Sequence, residues 1–352
     1  MLAGYRSVRS LELPLGRVTV LVGPNGCGKT NLYQGVRLLQ HAAAGTLARA
    51  IGDEGGMRSV LWAGQREKGP VRLRVEVEVD DWTWHLAIGL PQIGRTMFAL
   101  DPEVKEETLT LPVPGRKRPM ALVERGAGTA TLRDEEGAAQ TFPFQLTPTE
   151  SVLSQITEPR RFPELATLRE TLLRWRFVHQ VRTDADAPAR RSAVPIRTWR
   201  LADDGRDLPC ALQTIRENGD ADALDEAIDR AFPGTRLEVV EEGQRLAVAW
   251  LTPGISRPLA ARELSDGTLR FLCLAAALLS PQPPPLLALN EPETSLHPSV
   301  IPAVAGLCAA AAERSQLWLT THSEALAREL GERTDTVGVA LDRRDGATTV
   351  LA

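Results

Sequence analysis

Gly23-Pro24-Asn25-Gly26-Cys27-Gly28-Lys29-Thr30 is the stretch on which the reading of this chain turns. It fits G-x-x-x-x-G-K-[ST], and its flanks are those that such a loop requires. Before it, Val18-Thr19-Val20-Leu21-Val22 is a short apolar, β-branched run that predicts a strand. After it, NLYQGVRLLQHAAAGTLARAI carries Leu32, Val36 and Leu39 at helical spacing. Glycines let the backbone turn successive N–H groups toward phosphate oxygens. A helix beginning at Lys29 adds its positive end. In such a loop Lys29 reaches the β and γ phosphates of a nucleotide, and the Thr30 hydroxyl ligates magnesium.

Three later stretches have a related character. Leu286-Leu287-Ala288-Leu289-Asn290-Glu291 is an apolar run with a polar end. Glu291 is placed there to act as general base toward an attacking water. Asn290 stands where an Asp is expected; its amide oxygen accepts from a metal-bound water but brings no charge. Losing an outer-shell carboxylate costs roughly 10–100-fold in metal affinity. The plainer reading is a buried strand that ends in a polar turn. Leu264-Ser265-Asp266-Gly267-Thr268 precedes the apolar helix LRFLCLAAALLS and, taken alone, is an ordinary capped start. Ser265 lies 26 residues before Glu291, room for one helix and a return to the sheet. That spacing favours the Ser265 hydroxyl and the helix N-terminus on a γ-phosphate. Finally, Leu317-Trp318-Leu319 runs straight into Thr320-Thr321-His322-Ser323. A lone His at a strand end is usually a surface or capping group, but here it falls at the same predicted sheet edge as Glu291. We therefore expect His322 on the γ-phosphate.

Elsewhere the periodicity is mixed. Leu11 and Leu13 suggest a strand turned by Gly16, and Val71 to Val79 alternates apolar and charged residues as a half-buried strand does. Trp82 to Leu90 reads as its hairpin partner through Asp80-Asp81, and 92–146 as short strands and loops. Ser151 to Val178 reads as mainly helical, as does Asp207 to Ala231. Arg236–Val240 and Leu246–Trp250 form a predicted hairpin around Gly243. Strand and helix then alternate: a helix after LSDGT, a strand at Leu286–Leu289, a helix from about His297 to Ala312, a strand at Gln316–Thr320 and a helix near Ser323. Two short strands close the chain. The ends are thus α/β, with a mixed α+β insertion between them. The segment 160–200 holds ten Arg against four acids, Glu164, Glu170, Asp184 and Asp186. It could meet nucleic-acid phosphates, or be a solvated face paired with nearby acids.

Composition sets the outer limits. The 352 residues allow two or three domains, or one large one with insertions. With 41 basic and 45 acidic side chains, the net charge of −4 excludes a globally basic nucleic-acid binder. No apolar run nears the roughly 20 residues that span a bilayer, and the opening MLAGYRSVRSLELPLG lacks the apolar core of a secretory signal. Cys27, Cys210, Cys273 and Cys308 are far apart with no CxxC pair, which argues against zinc and a disulfide framework. A cytoplasmic setting is expected.

In this order, GPNGCGKT, LSDGT, LALNEPETSLHP and LTTHS resemble the ATPase head shared by ABC, SMC and RecF proteins, and most closely the RecF-like, OLD-type AAA ATPases. Tyr5-Arg6-Ser7, GKTNL, LSDGTLRFL and the middle block WRLADDGRDLPCALQTI are similar to that pattern as well. The resemblance implies an α/β P-loop NTPase of the ABC/SMC-head type, two-lobed, with a mixed α+β insertion. It implies one head over 1–352: a Walker A part of lobe I at 1–60, its β-rich part at 61–150, the insertion at 151–250, and the signature, Walker B and H-loop part at 251–352. Carried over, Asn25, Gly26, Gly28, Lys29, Thr30 and Asn31 hold ATP, and Thr30 and Asn290 attend Mg2+. Ser265 and Gly267 complete the site in a second copy of an ATP-dependent homodimer, Glu291 polarises water, and His322 senses the γ-phosphate. Glu293 to Leu296 would be the D-loop that communicates across the dimer. A Q-loop glutamine is expected at Gln155 or Gln180.

Two departures qualify the resemblance. Only 235 residues separate Thr30 from Ser265, without a long heptad pattern, so coiled-coil arms and a zinc hook are not expected. The 30 residues after His322 are too few for the TOPRIM nuclease domain of OLD-type proteins. The leading expectation is an ATP-driven switch acting on DNA or on a partner effector, in genome maintenance or phage defence, with no membrane partner. The alternatives are a nucleotide-gated interaction module with feeble hydrolysis, because of Asn290, and the ATPase subunit of a transporter. Against the transporter stand the long β-rich insertion, the lack of an LSGGQ motif and the YRS element.

Overall fold

In the computed structural model, the apolar run Val18–Val22 is an interior strand of a parallel sheet, between Gln316–Thr321 and Thr336–Arg344. Val18, Val20 and Leu21 are almost wholly buried, and so is Thr19 between them. A strand covered on both faces has to read as a continuous apolar run, as this one does. The structure describes residues 1–65, 69, 71–91, 97–115, 118–126, 129–134, 136–142, 146–179 and 181–351. Two compact units make up the chain: Met1–Pro14, Pro24–Trp175 and Leu341–Ala352 form one, and Leu15–Gly23 with Arg176–Ala340 the other.

The second unit holds the parallel sheet. Its order is Arg176–Val178, Leu286–Asn290, Gln316–Thr321, Val18–Val22, then Thr336 onward, every pair parallel. Helices Leu208–Asn218, Ala221–Ala231, Asp266–Leu278, Ile301–Ala312 and Glu324–Arg333 supply the apolar cover. Leu272, Leu289, Val304 and Leu319 lie in one continuous core. A three-stranded antiparallel sheet, Arg236–Glu242, Arg245–Leu251 and Leu259–Ala260, joins that core through Trp250. The Phe232 ring meets Trp250 and Phe271 edge-on, with centroids 5.3 and 5.5 Å away.

The first unit is built on an eight-stranded antiparallel sheet. Its order is Val8–Leu11, Leu2–Tyr5, Arg72–Val79, Trp82–Gly89, Glu103–Leu111, Met120–Arg125, Ala130–Arg133 and Ala139–Phe142. Asp80, with φ of 52°, makes the tight turn expected at Asp80-Asp81. Helix Lys29–Ala44 is held to helix Pro163–Arg174 where Gln40 donates to the Trp175 carbonyl at 2.6 Å. At the end of the chain, Ala347–Val350 pairs with Leu341–Arg344 and is joined to the start of the chain where the Thr348 N–H donates to the Ser7 carbonyl.

Some expectations need correction. Leu11 ends the strand Val8–Leu11 and Leu13 lies outside any strand, because Pro14 follows and cannot donate to a ladder. The segment Ser151 to Val178 is not one helical region. Pro163 opens a new helix at its first turn, and Arg176–Val178 is an edge strand pairing with Leu287–Leu289. Helix Pro163–Arg174 groups with the first unit and 176–250 with the second. Among the described residues no helix is long and apolar enough to cross a membrane.

One buried ionic cluster fixes the first unit. Glu107, 1% exposed, accepts from the Ser151 hydroxyl at 2.6 Å, the Val152 N–H at 2.9 Å and the Trp84 indole at 3.2 Å, and lies 3.7 Å from Arg125. Burial pushes its carboxyl above the usual range, and these donors oppose that shift. Arg125 also donates to the carbonyls of Thr147 and Glu150. Replacing Glu107 by Ala would leave a buried guanidinium without its counter-charge, so Glu107→Ala is expected to lower unfolding stability by about 3–5 kcal/mol. Denaturant titration followed by circular dichroism checks this; a change below about 1 kcal/mol would contradict it.

Candidate nucleotide site

The phosphate loop belongs to the first unit from Pro24 onward. Gly28 caps helix Lys29–Ala44 with φ of 109°, a conformation costly for any residue with a Cβ. A Cβ there would also fall 2.0 Å from Thr348 Oγ1 and 2.7 Å from Ser7 Oγ. Those two hydroxyls lie 2.7 Å apart, and Asn31 Nδ2 donates to Ser7 at 2.8 Å. Asn31 therefore spends its side-chain donor on bracing the loop. Lys29 is buried, with Nζ donating to the Pro24 carbonyl at 3.1 Å, so the side chain curls back over the loop it follows. Asn25, Gly26 and Thr30 are exposed.

The fit to a phosphate can be judged from the helix itself. Its 16 residues start with no side-chain cap and no acid in the first turn. The positive end of such a helix, with Lys29 beside it, suits an anion.

In the second unit, parallel pairing sets four strand ends side by side. Gly23 follows Val22, His322 follows Thr321, Glu291 follows Asn290 and His179 follows Val178, with Thr321 level with Val22, Asn290 with Thr320 and Leu289 with Val178. Asn290 is buried. Its Oδ1 accepts from the Thr320 hydroxyl at 2.8 Å, and its Nδ2 lies 3.0 Å from His179 Nδ1. An amide NH2 only donates, so the ring Nδ1 accepts. Asn290 Oδ1 keeps one lone pair for a metal-bound water, which fits an outer-sphere role and not that of a charged ligand. Beside the pair, a cavity of about 20 Å³, the size of a water, is lined by His179, Arg270, Asn290 and Glu291 among others.

Glu291 is one of the few non-glycine residues with positive φ, at 48°, and its N–H donates to the Thr320 carbonyl. Strain of this kind, of order 1–3 kcal/mol, persists where surrounding structure holds it, and often at functional sites. His322 is half exposed, with Nδ1 3.9 Å from Glu291 Oε1 and 3.3 Å from Glu293 Oε1. Glu293 is buried and turns inward to this loop: its Oε1 accepts from the Thr321 hydroxyl at 2.5 Å and the His322 N–H at 3.2 Å.

Ser265 caps helix Asp266–Leu278 and accepts from the Thr268 N–H at 3.1 Å. Gly267 comes so close to the following turn that a Cβ would lie 3.1 Å from the Ser295 carbonyl, and Arg270 donates to the Thr294 carbonyl at 2.6 Å. Helix and turn are therefore tied together. Arg190, its side chain 8% exposed, anchors the loop before the helix: it donates to the carbonyls of Ala261, Leu264 and Thr183 and to Asp266 at 2.6 Å.

The Arg190 anchor and the His179 contact were not foreseen from sequence. The only hint was the arginine-rich run itself, and most of that run serves the protein. Arg161 pairs with Glu158, Arg169 reaches Ala43, Arg176 reaches Leu201 and Asp203, Arg182 pairs with Asp184, and Arg197 with Glu217. Of the glutamines, Gln155 is spent on the backbone of Thr147, Glu150 and Ser151. Gln180 lies outside the described residues.

Comparison with known proteins agrees with this architecture. The family model described as "AAA domain, putative AbiEii toxin, Type IV TA system" matches residues 18–328, and the chain belongs to that family. Among solved structures it is similar to an Smc head bound to the C-winged helix domain of ScpA (TM-score 0.55, 14% identity, 99% of this chain and 95% of that one). It is also similar to an Smc head with an extended coiled coil bound to the C-terminal domain of ScpA, from Pyrococcus furiosus (TM-score 0.53, 14% identity, 99% and 94%). The fold is that of an SMC-head P-loop NTPase. No curated protein matches the chain.

Because one guanidinium satisfies the Ala261 and Leu264 carbonyls before helix Asp266–Leu278 and the distant Thr183 carbonyl, Arg190→Ala is expected to cost on the order of 2–3 kcal/mol. It should also raise amide exchange at 261–266. Hydrogen-exchange mass spectrometry reads both quantities, and unchanged protection there would show the anchor to be dispensable.

Proposed function

We propose that this member of the AAA-domain family works as an ATP-driven molecular switch of the RecF/SMC type: ATP joins two copies, and hydrolysis releases them. The observation that carries the reading is an uncapped helix start behind GPNGCGKT, in a chain whose neighbouring strand ends present Glu291 and His322. Asn25, Gly26, Gly28 and Lys29 would hold the phosphates, with Thr30 and Asn290 toward magnesium, and Asn31 bracing the loop. Bound Mg2+ neutralises charge on the β and γ phosphates. Glu291 accepts the proton of the attacking water, and His322 contacts the γ-phosphate end. Ser265 and Gly267 serve the nucleotide of the second copy, which makes the site incomplete in one chain.

The output we favour is control of a partner effector protein, in phage defence or genome maintenance. Two observations support this over DNA contact through 160–200. Most arginines there are tied to carbonyls and carboxylates of this chain. The similar Smc heads are each bound to a domain of ScpA, a separate protein.

Three outcomes test the switch. Lys29→Ala should abolish binding of a fluorescent ATP analogue. Glu291→Gln with ATP should elute from gel filtration at twice the monomer mass, and a persistent monomer would overturn the sandwich. Asn290→Asp should raise phosphate release by restoring the missing charge; equal or lower turnover would mean that Asn290 does not limit hydrolysis.

A further inference from the structure

The Glu293 carboxylate has an unusual set of partners. Three donors or charged groups converge on its Oε1, all from two consecutive residues: the Thr321 hydroxyl at 2.5 Å, the His322 N–H at 3.2 Å and His322 Nδ1 at 3.3 Å. Its Oε2 is buried and has no hydrogen-bond partner among the described residues. A buried acid present only to stabilise the fold would be expected to have both oxygens satisfied, since an unpaired buried acceptor costs about 1–3 kcal/mol. Here every hydrogen bond that the carboxylate accepts comes from the His322 loop. The Thr321 hydroxyl extends the arrangement, because it also accepts from the Ser323 N–H at 2.9 Å. Thr321 and His322 thus meet one Glu293 oxygen, and Ser323 is tied to them through the Thr321 hydroxyl.

The ring of His322 has a second neighbour of the same kind. Nδ1 lies 3.3 Å from one carboxylate oxygen and 3.9 Å from another, on Glu291. Ionised carboxylates only accept. A bare nitrogen facing two of them would be repelled by both, so the proton belongs on Nδ1. Once a carboxylate fixes the proton on one ring nitrogen, the other is left with a free lone pair.

We infer that Glu293 is a positioning residue of the hydrolytic site: it orients His322 and holds its ring proton on Nδ1, so that Nε2 accepts a hydrogen bond from the water at the γ-phosphate. This inference rests on the ATPase reading above and sharpens it, since it makes the outer ring nitrogen an acceptor where a phosphate contact alone would need a donor. It also gives Glu293 a role within its own chain, apart from any communication across a dimer. The 3.3 Å approach is a charge contact not aligned as a hydrogen bond, and catalytic contacts that are poorly aligned in the unbound form tighten when the substrate binds.

The test uses the full-length protein, whose five histidines keep a nitrogen-15 histidine spectrum simple. The native His322 should show the Nδ1-protonated tautomer. Glu293→Leu, similar in volume and unable to accept, should move the proton to Nε2 or leave both tautomers populated. Glu293→Gln, which still accepts through its amide oxygen, should keep the native tautomer. In parallel, Glu293→Leu should lower kcat by about 10–100-fold, the usual effect of removing a partner behind a site histidine. The affinity for a fluorescent ATP analogue should stay within twofold, and Glu293→Gln should recover most of kcat. An Nε2-protonated native ring, an unchanged tautomer in Glu293→Leu, or loss of nucleotide binding in that variant would overturn the inference. If the native chain hydrolyses no ATP, the ATPase reading falls, and the tautomer measurement still decides the role of Glu293 alone.

Discussion

Four neighbouring strands that run the same way must end on the same edge of their sheet, and here each end carries a different polar group: His179, Glu291, His322 and the entry to the phosphate loop. Nothing in the local propensity of those residues gathers them. The gathering is done by backbone hydrogen bonds between apolar runs, which bury Leu289, Leu319 and Leu21 and in doing so fix the register. Shifting one strand by a residue would exchange the side chains on its two covered faces and remove its polar tip from the group. Stability and site geometry are in this sense one constraint.

Within that edge the polar residues are held by one another more than by solvent. Thr320 supports Asn290, Asn290 reaches His179, and Thr321 supports Glu293, with both threonines fully buried. Buried polar groups of this kind are costly unless paired, and once paired they hold a single geometry. Asn290 fits that logic: a neutral amide can donate toward His179 and accept from Thr320 at once, which a carboxylate could not do without moving a proton.

The sequence made the phosphate loop legible because its chemistry is local: glycines, Lys29 and the flanking elements lie within one stretch. The strand-end residues Asn290, Glu291 and His322 could be found because each ends an apolar run. Other features were hidden for physical reasons. Asn290 and His179 are 111 residues apart, Ser7 and Thr348 are 341 apart, and Arg190 reaches carbonyls more than 70 residues away. Such pairings are set by sheet order, which periodicity does not encode. Arg176–Val178 was mistaken for helix for the same reason, since an edge strand of three residues is defined by its neighbour. Glu293 was read as part of a loop that communicates across a dimer, and nothing in EPETSLHP distinguishes a carboxylate that turns inward.

The seal on the phosphate loop has a temporal consequence. Gly28 is packed against hydroxyls of Ser7 and Thr348, which lie 341 residues apart in sequence. Synthesis runs at about 5–20 residues per second and early segments emerge first, so the loop waits on the ribosome for its last wall. The strand that feeds it waits too, because both neighbours of Val18–Val22 come after residue 315. Contacts of such long sequence separation form late. A nascent chain therefore cannot close the wall around Gly28 before Thr348 has emerged.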